Sequence, residues 1–424
     1  LRPYKVFRHT LGSGKKDELV YQELDARYNS YVYRSKTGDF IFFGSSSTST
    51  SEVSYINANN PGEKPKVFLP RVQGVDYSIV HHKDMFYIKY KDSTHINSMI
   101  YTAPLEGFAD RATWKVFVDH DPAVRIEGFD VLKNFVAVEV RKNGLNEIVI
   151  YNLADGKTAG ISFPEPVYSV SLNGNPEYDA ETIRYTYTSL NRPSTLYEYN
   201  MSTGESVKLK EQEIPSGFNP DEYVVERLWA KASDGVEVPM AIVYRKGLKK
   251  SGKNPVLLYS YGSYGSSSDV YFSPSFYSLI DRGFIFGIAQ IRGGSDLGEQ
   301  WYEDGKLLKK KNTFTDFIAC AQKLVDDKYT SPSLLAAMGG SAGGLLMGAV
   351  ANMAPELFNT IVAQDPFVDV VNTMLDTSLP LTTQEYEEWG NPNEEEYYRY
   401  ILSYSPYDNV KAQNYPNILA TGVL

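Results

Sequence analysis

A single serine among glycines constrains this chain more than any other feature. Residues 338–348 read MGGSAGGLLMG and lie between a run that predicts a strand and one that predicts a helix. Small neighbours at such a sharp turn allow Ser341 a strained backbone with an exposed hydroxyl, and the helix directs its first amides at the same point. We predict Ser341 as a nucleophile and the backbone N–H of Ala342 as an oxyanion donor. The alternative, a glycine-rich phosphate loop, lacks the Lys-Ser/Thr pair that would follow.

Strands and helices alternate around this serine. After a Pro- and Gly-rich linker at 211–223, a hairpin turns at Asp234-Gly235, and apolar strands then alternate with helix-like segments. This order predicts a parallel sheet with helices on both faces. Because the G-x-S-x-G motif falls between a strand and a helix, residues 216–424 are expected to form an α/β-hydrolase domain.

Residues 1–215 indicate a different, all-β architecture. Tyr- and Val-rich strands and polar turns recur at intervals of about 45–50 residues, which is within the range of propeller blades. We expect a partial β-propeller of about four blades, with residues 1–24 as the end of a further blade. A β-sandwich is the alternative. The repeated units begin near Asp39, Met85, Phe135 and Thr182.

Charge and cysteine content exclude several classes of protein. A net charge of −10 argues against nucleic acid or an anionic membrane as partner. No apolar run is long enough to span a membrane. The single cysteine, Cys320, cannot form an internal disulfide and is expected to be a packed helix residue, so a cytoplasmic location is expected. Residues 341–424 hold eleven Asp and Glu but two basic residues, which indicates either a solvated surface or a site that attracts cations.

A second oxyanion donor would come from the loop that follows an earlier strand. That loop, YSYGSYGSSS at 259–268, carries Tyr259, Tyr261 and Tyr264 among glycines. One tyrosine hydroxyl could be the donor, whereas the other rings would pack beneath the loop.

The histidine that the serine requires is missing from the expected place. Hydrolases of this type carry serine, acid and histidine in that order, and no histidine follows Ser341. We expect the acid and the histidine to lie beyond Leu424, and the chain to be a fragment cut at both ends. The histidines present are expected to be surface or packing residues and all precede the linker: His9, His81, His82, His95 and His120.

Five segments carry a family resemblance. They are YGSYG (261–265), IRGGSDLGEQWYEDGK (291–306), GGSAGGLLMGAVANMAPELF (339–358), PLTTQEYEEWGNP (380–392) and YSPYDNVKAQNYPNIL (404–419). Through them the chain resembles the prolyl oligopeptidase family of serine peptidases, most closely its oligopeptidase B branch. The resemblance implies a seven-bladed propeller joined to an α/β-hydrolase domain, and cleavage of short peptides.

The resemblance also implies roles for single residues. Ser341 would be the nucleophile, and Tyr261 would donate its hydroxyl to the oxyanion beside the N–H of Ala342. Alanine at 342 favours the oligopeptidase B branch, because prolyl-cleaving members usually carry asparagine there. No metal or organic cofactor is implied.

Substrate specificity is expected from an acidic helix segment. The pair Glu385 and Glu387 resembles the E-x-E pair with which oligopeptidase B holds Arg or Lys before the cleaved bond, and two carboxylates suit the planar guanidinium. Glu388 is expected at the surface. Asp269 resembles one of two family aspartates that bind a basic residue one position further back, and Tyr271 replaces the second. The implied substrates are short basic peptides.

Two other classes of function remain open at this point. One is another α/β-hydrolase, namely a prolyl oligopeptidase, an acylaminoacyl peptidase or an esterase. The other is a non-catalytic propeller and hydrolase-like binding protein, because a nucleophile without histidine is not an assembled triad.

Overall fold

The computed structural model describes residues 2–422, in which a β-rich region precedes an α/β region. Within these residues the β-rich region forms one two-stranded sheet, β1 and β2, and four four-stranded antiparallel sheets. Each four-stranded sheet is a meander of consecutive strands. The strands are β1 (Lys5–Arg8), β2 (Glu18–Gln22), β3 (Asn29–Arg34), β4 (Phe40–Ser46), β5 (Ser51–Asn57), β6 (Lys66–Val67), β7 (Asp76–His82), β8 (Met85–Lys91), β9 (Met99–Pro104), β10 (Lys115–Val118), β11 (Val124–Val131), β12 (Phe135–Lys142), β13 (Leu145–Asn152), β14 (Thr158–Ile161), β15 (Ser169–Leu172), β16 (Thr182–Ser189), β17 (Arg192–Asn200) and β18 (Ser206–Glu211).

The second and third four-stranded sheets pack on a neighbouring sheet through each of their faces. Successive side chains of a strand point to opposite faces, so one strand can serve two hydrophobic cores. On β8, Phe86 and Ile88 pack with Phe42 of the preceding sheet, whereas Tyr87 packs with Val136 of the following sheet. This arrangement is that of propeller blades, as predicted, and not of a β-sandwich.

The predicted repeat is out of phase with the blades by one strand. The units that we expected near Asp39, Met85, Phe135 and Thr182 begin at the second strand of each blade, β4, β8, β12 and β16. The two central strands of a blade are largely buried on both faces, as in β8 and β12, and read as nearly continuous apolar runs. The short edge strands β6, β10 and β14 are mostly exposed and give a weaker pattern.

A seven-stranded sheet forms the α/β region, in the order β19-β20-β22-β21-β23-β24-β25. The hairpin β19-β20 turns at Asp234-Gly235, as predicted, and joins β22 in antiparallel orientation. The remaining pairs, from β22 to β25, are parallel. The strands are β19 (Tyr223–Lys231), β20 (Glu237–Arg245), β21 (Val256–Tyr259), β22 (Ile285–Ala289), β23 (Leu335–Gly340), β24 (Thr360–Gln364) and β25 (Asn417–Thr421).

Helices cover both faces of this sheet, as predicted. Leu258 of β21 packs in one core together with α3 and α4, whereas Leu257 packs in the other together with α1. Cys320 is fully buried on α3, which confirms its packing role. The helices are α1 (Pro274–Ile280), α2 (Glu299–Glu303), α3 (Lys311–Asp326), α4 (Ala342–Met353), α5 (Val370–Leu375), α6 (Thr382–Trp389) and α7 (Glu395–Leu402).

Charged side chains join the two regions. Buried Arg141 of β12 forms a two-pronged ion pair with Asp269, with nitrogen–oxygen distances of 2.7 and 3.0 Å. Lys91 and Arg125 of the propeller both bind Glu299 of α2, at 2.7 and 3.1 Å. The last propeller strand ends at Glu211 and the hydrolase hairpin begins at Tyr223, and the exact boundary at 215/216 stays a prediction. Among residues 2–422, no helix has the length and apolar character needed to cross a membrane.

Candidate active site

Ser341 lies in a strained turn between β23 and α4. Its φ of 55° and ψ of −117° are unfavourable for a residue with a side chain, and the hydroxyl-bearing residue is exposed. Two backbone hydrogen bonds hold this turn: Ser341 donates its N–H to the carbonyl of Gln364 at 2.9 Å, and Phe367 donates to the carbonyl of Ser341 at 3.1 Å. The geometry is that of a nucleophile elbow.

The glycines around Ser341 are required by close backbone approach. A Cβ atom on Gly339 would lie 2.3 Å from the carbonyl oxygen of Gly343, and one on Gly343 would lie 2.9 Å from that of Ser260. A Cβ atom on Gly344 would lie 2.5 Å from the Cα of Pro366. The sharp turn therefore tolerates no side chain at these positions without movement of the backbone.

Replacement of Gly344 by alanine is expected to destabilise the protein by about 1–3 kcal/mol, because the new methyl group overlaps the backbone of Pro366. In an unobstructed helix the same change would stabilise by about 1 kcal/mol. Thermal unfolding measures the difference. Gly128→Ala is the control, since an added Cβ there meets no atom of the described residues within 4 Å. Equal stability of the two variants would contradict the overlap.

Two groups that can donate hydrogen bonds lie next to Ser341. Ala342 begins α4, and the amides of a first helical turn have no partner within the helix. The half-buried Tyr261 follows β21 and lies beside the serine. Burial raises the pKa of Tyr261, and its hydroxyl interacts with the Ser341 side chain, which lowers that pKa in part. Tyr261 therefore remains a protonated donor at neutral pH, as an oxyanion site requires.

A pocket with a volume of about 280 Å³ opens beside Ser341. Its walls are aromatic and aliphatic, and Glu385 is the charged residue among those that line it in the described part of the chain. An anionic group in the wall of a largely apolar pocket suits a long side chain with a cationic head. The lining residues are Tyr264, Ser341, Ala342, Phe367, Thr373, Met374, Leu379, Pro380, Leu381, Thr382, Glu385 and Trp389.

The two glutamates of the predicted pair have different surroundings. Oε2 of Glu385 accepts hydrogen bonds from the Tyr264 hydroxyl at 2.6 Å and from the Trp389 indole at 2.8 Å. Glu387 instead faces the propeller, where its oxygens accept longer hydrogen bonds, of 3.1–3.4 Å, from Ser47, Ser49 and Gln73. Of the two, only Glu385 lines the pocket with Ser341.

The prediction that Glu388 lies at the surface is wrong. Its residue exposure is 1%, and its carboxylate accepts hydrogen bonds from the backbone N–H of Tyr264 at 3.0 Å and the hydroxyl of Tyr302 at 2.6 Å. Glu388 lies on the same face of α6 as Glu385, and both carboxylates bind Tyr264, but Glu388 is covered by the loop and by Tyr302. Glu385, Glu387 and Glu388 are three acidic residues within four positions, and their sequence does not indicate which of them is buried. The orientation of α6 determines that Glu388 is the buried one.

Asp269 lies at the junction of the two regions. Both of its carboxylate oxygens bind Arg141 of the propeller, and Tyr271 stands exposed two residues later. Its predicted role for a second basic substrate residue remains a prediction. The sequence did not indicate Arg141 as the partner, because 128 residues separate the two.

The histidines lie in the β-rich region. His81 and His82 are buried in the second blade, where their ring nitrogens bond to the hydroxyls of Thr37 at 2.6 Å and Tyr178 at 2.9 Å. No histidine follows His120 in the sequence. Residues 2–422 thus bring Ser341, Tyr261 and the start of α4 together, whereas their histidines all lie in the β-rich region.

Comparisons with known proteins agree with this geometry. The N-terminal β-propeller model of prolyl oligopeptidase matches residues 1–212, and the prolyl oligopeptidase family model matches residues 270–423. The chain belongs to the prolyl oligopeptidase family.

Relatives of this peptidase family match along nearly the whole chain. A protein named dipeptidyl aminopeptidase BI, from Pseudoxanthomonas mexicana, is 46% identical over 97% of this chain and 57% of its own length. Protease 2 from Moraxella lacunata is 42% identical over 100% of this chain and 61% of its own length. The chain therefore spans about three fifths of the length of these relatives.

Solved structures of the family share the fold. Oligopeptidase B from Leishmania major superposes with a TM-score of 0.94 at 41% identity, over 99% of this chain and 60% of that one. Oligopeptidase B from Trypanosoma brucei, with covalently bound antipain in a closed form, has a TM-score of 0.94 at 37% identity, over 99% of this chain and 61% of that one.

Proposed function

We propose that the protein acts as a serine peptidase that cleaves short peptides through an acyl-enzyme. The observation that carries this proposal is the strained, exposed Ser341 with Tyr261 and Ala342 beside it. A general base would accept the proton of the Ser341 hydroxyl, whose oxygen then attacks the peptide carbonyl. The Tyr261 hydroxyl and the Ala342 N–H would donate to the developing oxyanion. The leaving amine takes a proton, and water then releases the acyl group.

We further propose that the residue before the cleaved bond is Arg or Lys. Glu385 supports this proposal, because it is the charged residue of the pocket that opens at Ser341. A guanidinium reaching Glu385 would replace the Tyr264 hydroxyl as its partner or share the carboxylate with it. Glu387 would complete the binding site from the propeller side, with its orientation set by Ser47 and Ser49.

Replacement of both glutamates by glutamine is expected to lower kcat/KM for an arginine substrate by about 100-fold, since each change removes a charge from a partly desolvated ion pair. Activity is measured on the full-length protein, meaning one that spans the whole length of the relatives. The kcat/KM for a substrate with proline before the cleaved bond should change little. Glu396→Gln, at an exposed position of α7, is the matched control. Unchanged cleavage after arginine in Glu385→Gln/Glu387→Gln protein would contradict the assignment.

A dipeptidyl aminopeptidase is the second candidate, because a 46% identical relative carries that name. An endopeptidase accepts a substrate with a blocked N-terminus, whereas release of dipeptides requires a free α-amino group two residues before the bond. Hydrolysis of matched blocked and free arginine peptides by the full-length protein separates the two. Preference for the free peptide by more than tenfold would favour the dipeptidyl activity.

We also propose a cytoplasmic location, on the single buried cysteine, and short basic peptides as partners.

A further inference from the structure

The loop that carries Tyr261 has an unusually constrained backbone. Gly262, Tyr264 and Gly265 have positive φ values of 73°, 58° and 63°. A side chain at Gly262 would lie 2.5 Å from the Cγ2 of Thr313, so the loop runs tightly against α3. Such a conformation persists only when neighbouring groups hold it in place.

Lys310 holds the first half of the loop. Its side chain is 1% exposed, and Nζ donates to the carbonyl of Gly262 at 2.6 Å and to the hydroxyl of Ser263 at 2.7 Å. The ammonium also lies 5.0 Å from the centroid of the Trp389 ring. A buried ammonium thus uses its donors on the residues immediately after Tyr261.

Glu388 holds the second half. One carboxylate oxygen accepts the backbone N–H of Tyr264, and the other accepts the hydroxyl of Tyr302 on α2. Nζ of Lys310 lies 3.9 Å from the first of these oxygens. The two buried side chains therefore form an ion pair that lies against both halves of the loop.

We propose that Glu388 and Lys310 are positioning residues that hold the Tyr261 hydroxyl in register with Ser341. The inference rests on the proposed function, because it concerns the oxyanion donor of that reaction. Neither side chain is among those that line the pocket, so both would act through the loop. Helix α6 would then contribute to the site in two ways. Glu385 would contact the substrate, and Glu388, one turn later, would hold the loop that carries Tyr261.

The burial of the Lys310 and Glu388 charges costs free energy, and this cost argues for a positioning role rather than for stability alone. Burial lowers the pKa of Lys310 to about 8, and burial also raises the pKa of Glu388. Both shifts disfavour the charged forms, whereas the ion pair and the hydrogen bonds favour them. Apolar side chains of similar volume would avoid this conflict, and a buried ion pair is therefore weak evidence for stability alone.

The test replaces both residues by methionine in the full-length protein. The double variant Lys310→Met/Glu388→Met leaves no unpaired buried charge and should fold, as thermal unfolding checks. We expect kcat for an arginine substrate to fall by about 10–100-fold, because a small displacement of a reacting group has an effect of this size. KM should change by less than about threefold, since ground-state contacts are retained. The inhibition constant of a peptide aldehyde, which forms an oxyanion on Ser341, should rise in parallel with the loss in kcat.

A second comparison separates positioning from general destabilisation. When Tyr261 is already replaced by phenylalanine, the two methionine substitutions should lower kcat by less than about threefold further. The donor that Lys310 and Glu388 hold in place is then already absent. Glu388→Gln, which keeps an acceptor for the Tyr264 N–H, should retain activity within about fivefold. The inference would be overturned if the two methionine substitutions lowered kcat by the same factor with and without Tyr261→Phe. It would also be overturned if Glu388→Gln lowered kcat as much as Glu388→Met. Absence of peptidase activity in the unmodified full-length protein would instead overturn the proposed function.

Discussion

Replacement of Ser341 by alanine is expected to lower kcat for peptide hydrolysis by on the order of 10⁵-fold in the full-length protein. The hydroxyl of Ser341 is the proposed attacking group, and the strained elbow presents it to the pocket at the N-terminus of α4. Without it the acyl-enzyme cannot form, and only the binding and oxyanion groups remain to assist water. KM should stay nearly constant, because the substrate contacts are unchanged.

Covalent labelling gives an independent measurement. A fluorophosphonate probe should label the wild-type full-length protein at Ser341 and leave the Ser341→Ala protein unlabelled. Ser278→Ala is a suitable control, since this exposed serine lies on α1 and is not among the residues that line the pocket. If the Ser341→Ala protein hydrolysed peptide at a rate within about tenfold of the wild-type protein, another residue would have to be the attacking group. That result would rule out the proposed mechanism.

Replacement of Tyr261 by phenylalanine is expected to lower kcat by about 10²–10³-fold, equivalent to about 2.7–4 kcal/mol of transition-state stabilisation. The phenol is half-buried, and its hydroxyl interacts with Ser341. Its hydrogen bond strengthens only when negative charge develops on the substrate oxygen, so the loss should fall on kcat rather than KM.

The neighbouring tyrosine provides the control for this change. Tyr259, at the end of β21, packs against the second hydrophobic core of the hydrolase region. Tyr259→Phe removes the same hydroxyl group two residues away and should leave kcat within about twofold. If both variants lose activity equally, the effect comes from the strand and not from an oxyanion donor. A loss seen in KM alone would assign Tyr261 to substrate binding.

Local patterns predicted much of this structure from the sequence. The G-x-S-x-G motif depends on residues that are adjacent in the chain, and the elbow formed where strand and helix signals meet. Apolar runs located the central strands of the blades, such as β8 and β12, because both faces of those strands are largely buried. The hairpin at Asp234-Gly235 followed from its turn residues alone.

Features that depend on distant contacts were not predictable in the same way. The burial of Glu388 depends on which side of α6 meets the loop at 261–265, and no short pattern records that orientation. The pairing of Asp269 with Arg141 joins two regions of different fold. For the same reason the family resemblance implied Glu385 and Glu387 as one pair, whereas Glu385 lines the pocket and Glu387 faces the propeller.

The ion pairs between propeller and hydrolase region have a consequence for substrate access. Arg141, Arg125 and Lys91 meet Asp269 and Glu299 at this junction, beside an apolar cluster in which Val167 and Leu190 of the propeller region pack with hydrolase residues, so polar groups make up part of the junction. If the bodies separate, water can solvate each of these groups, whereas an apolar seam would resist wetting. Such a junction should loosen as ionic strength rises. The rate at which bulky peptides reach Ser341 would then depend on salt even where the chemical step does not.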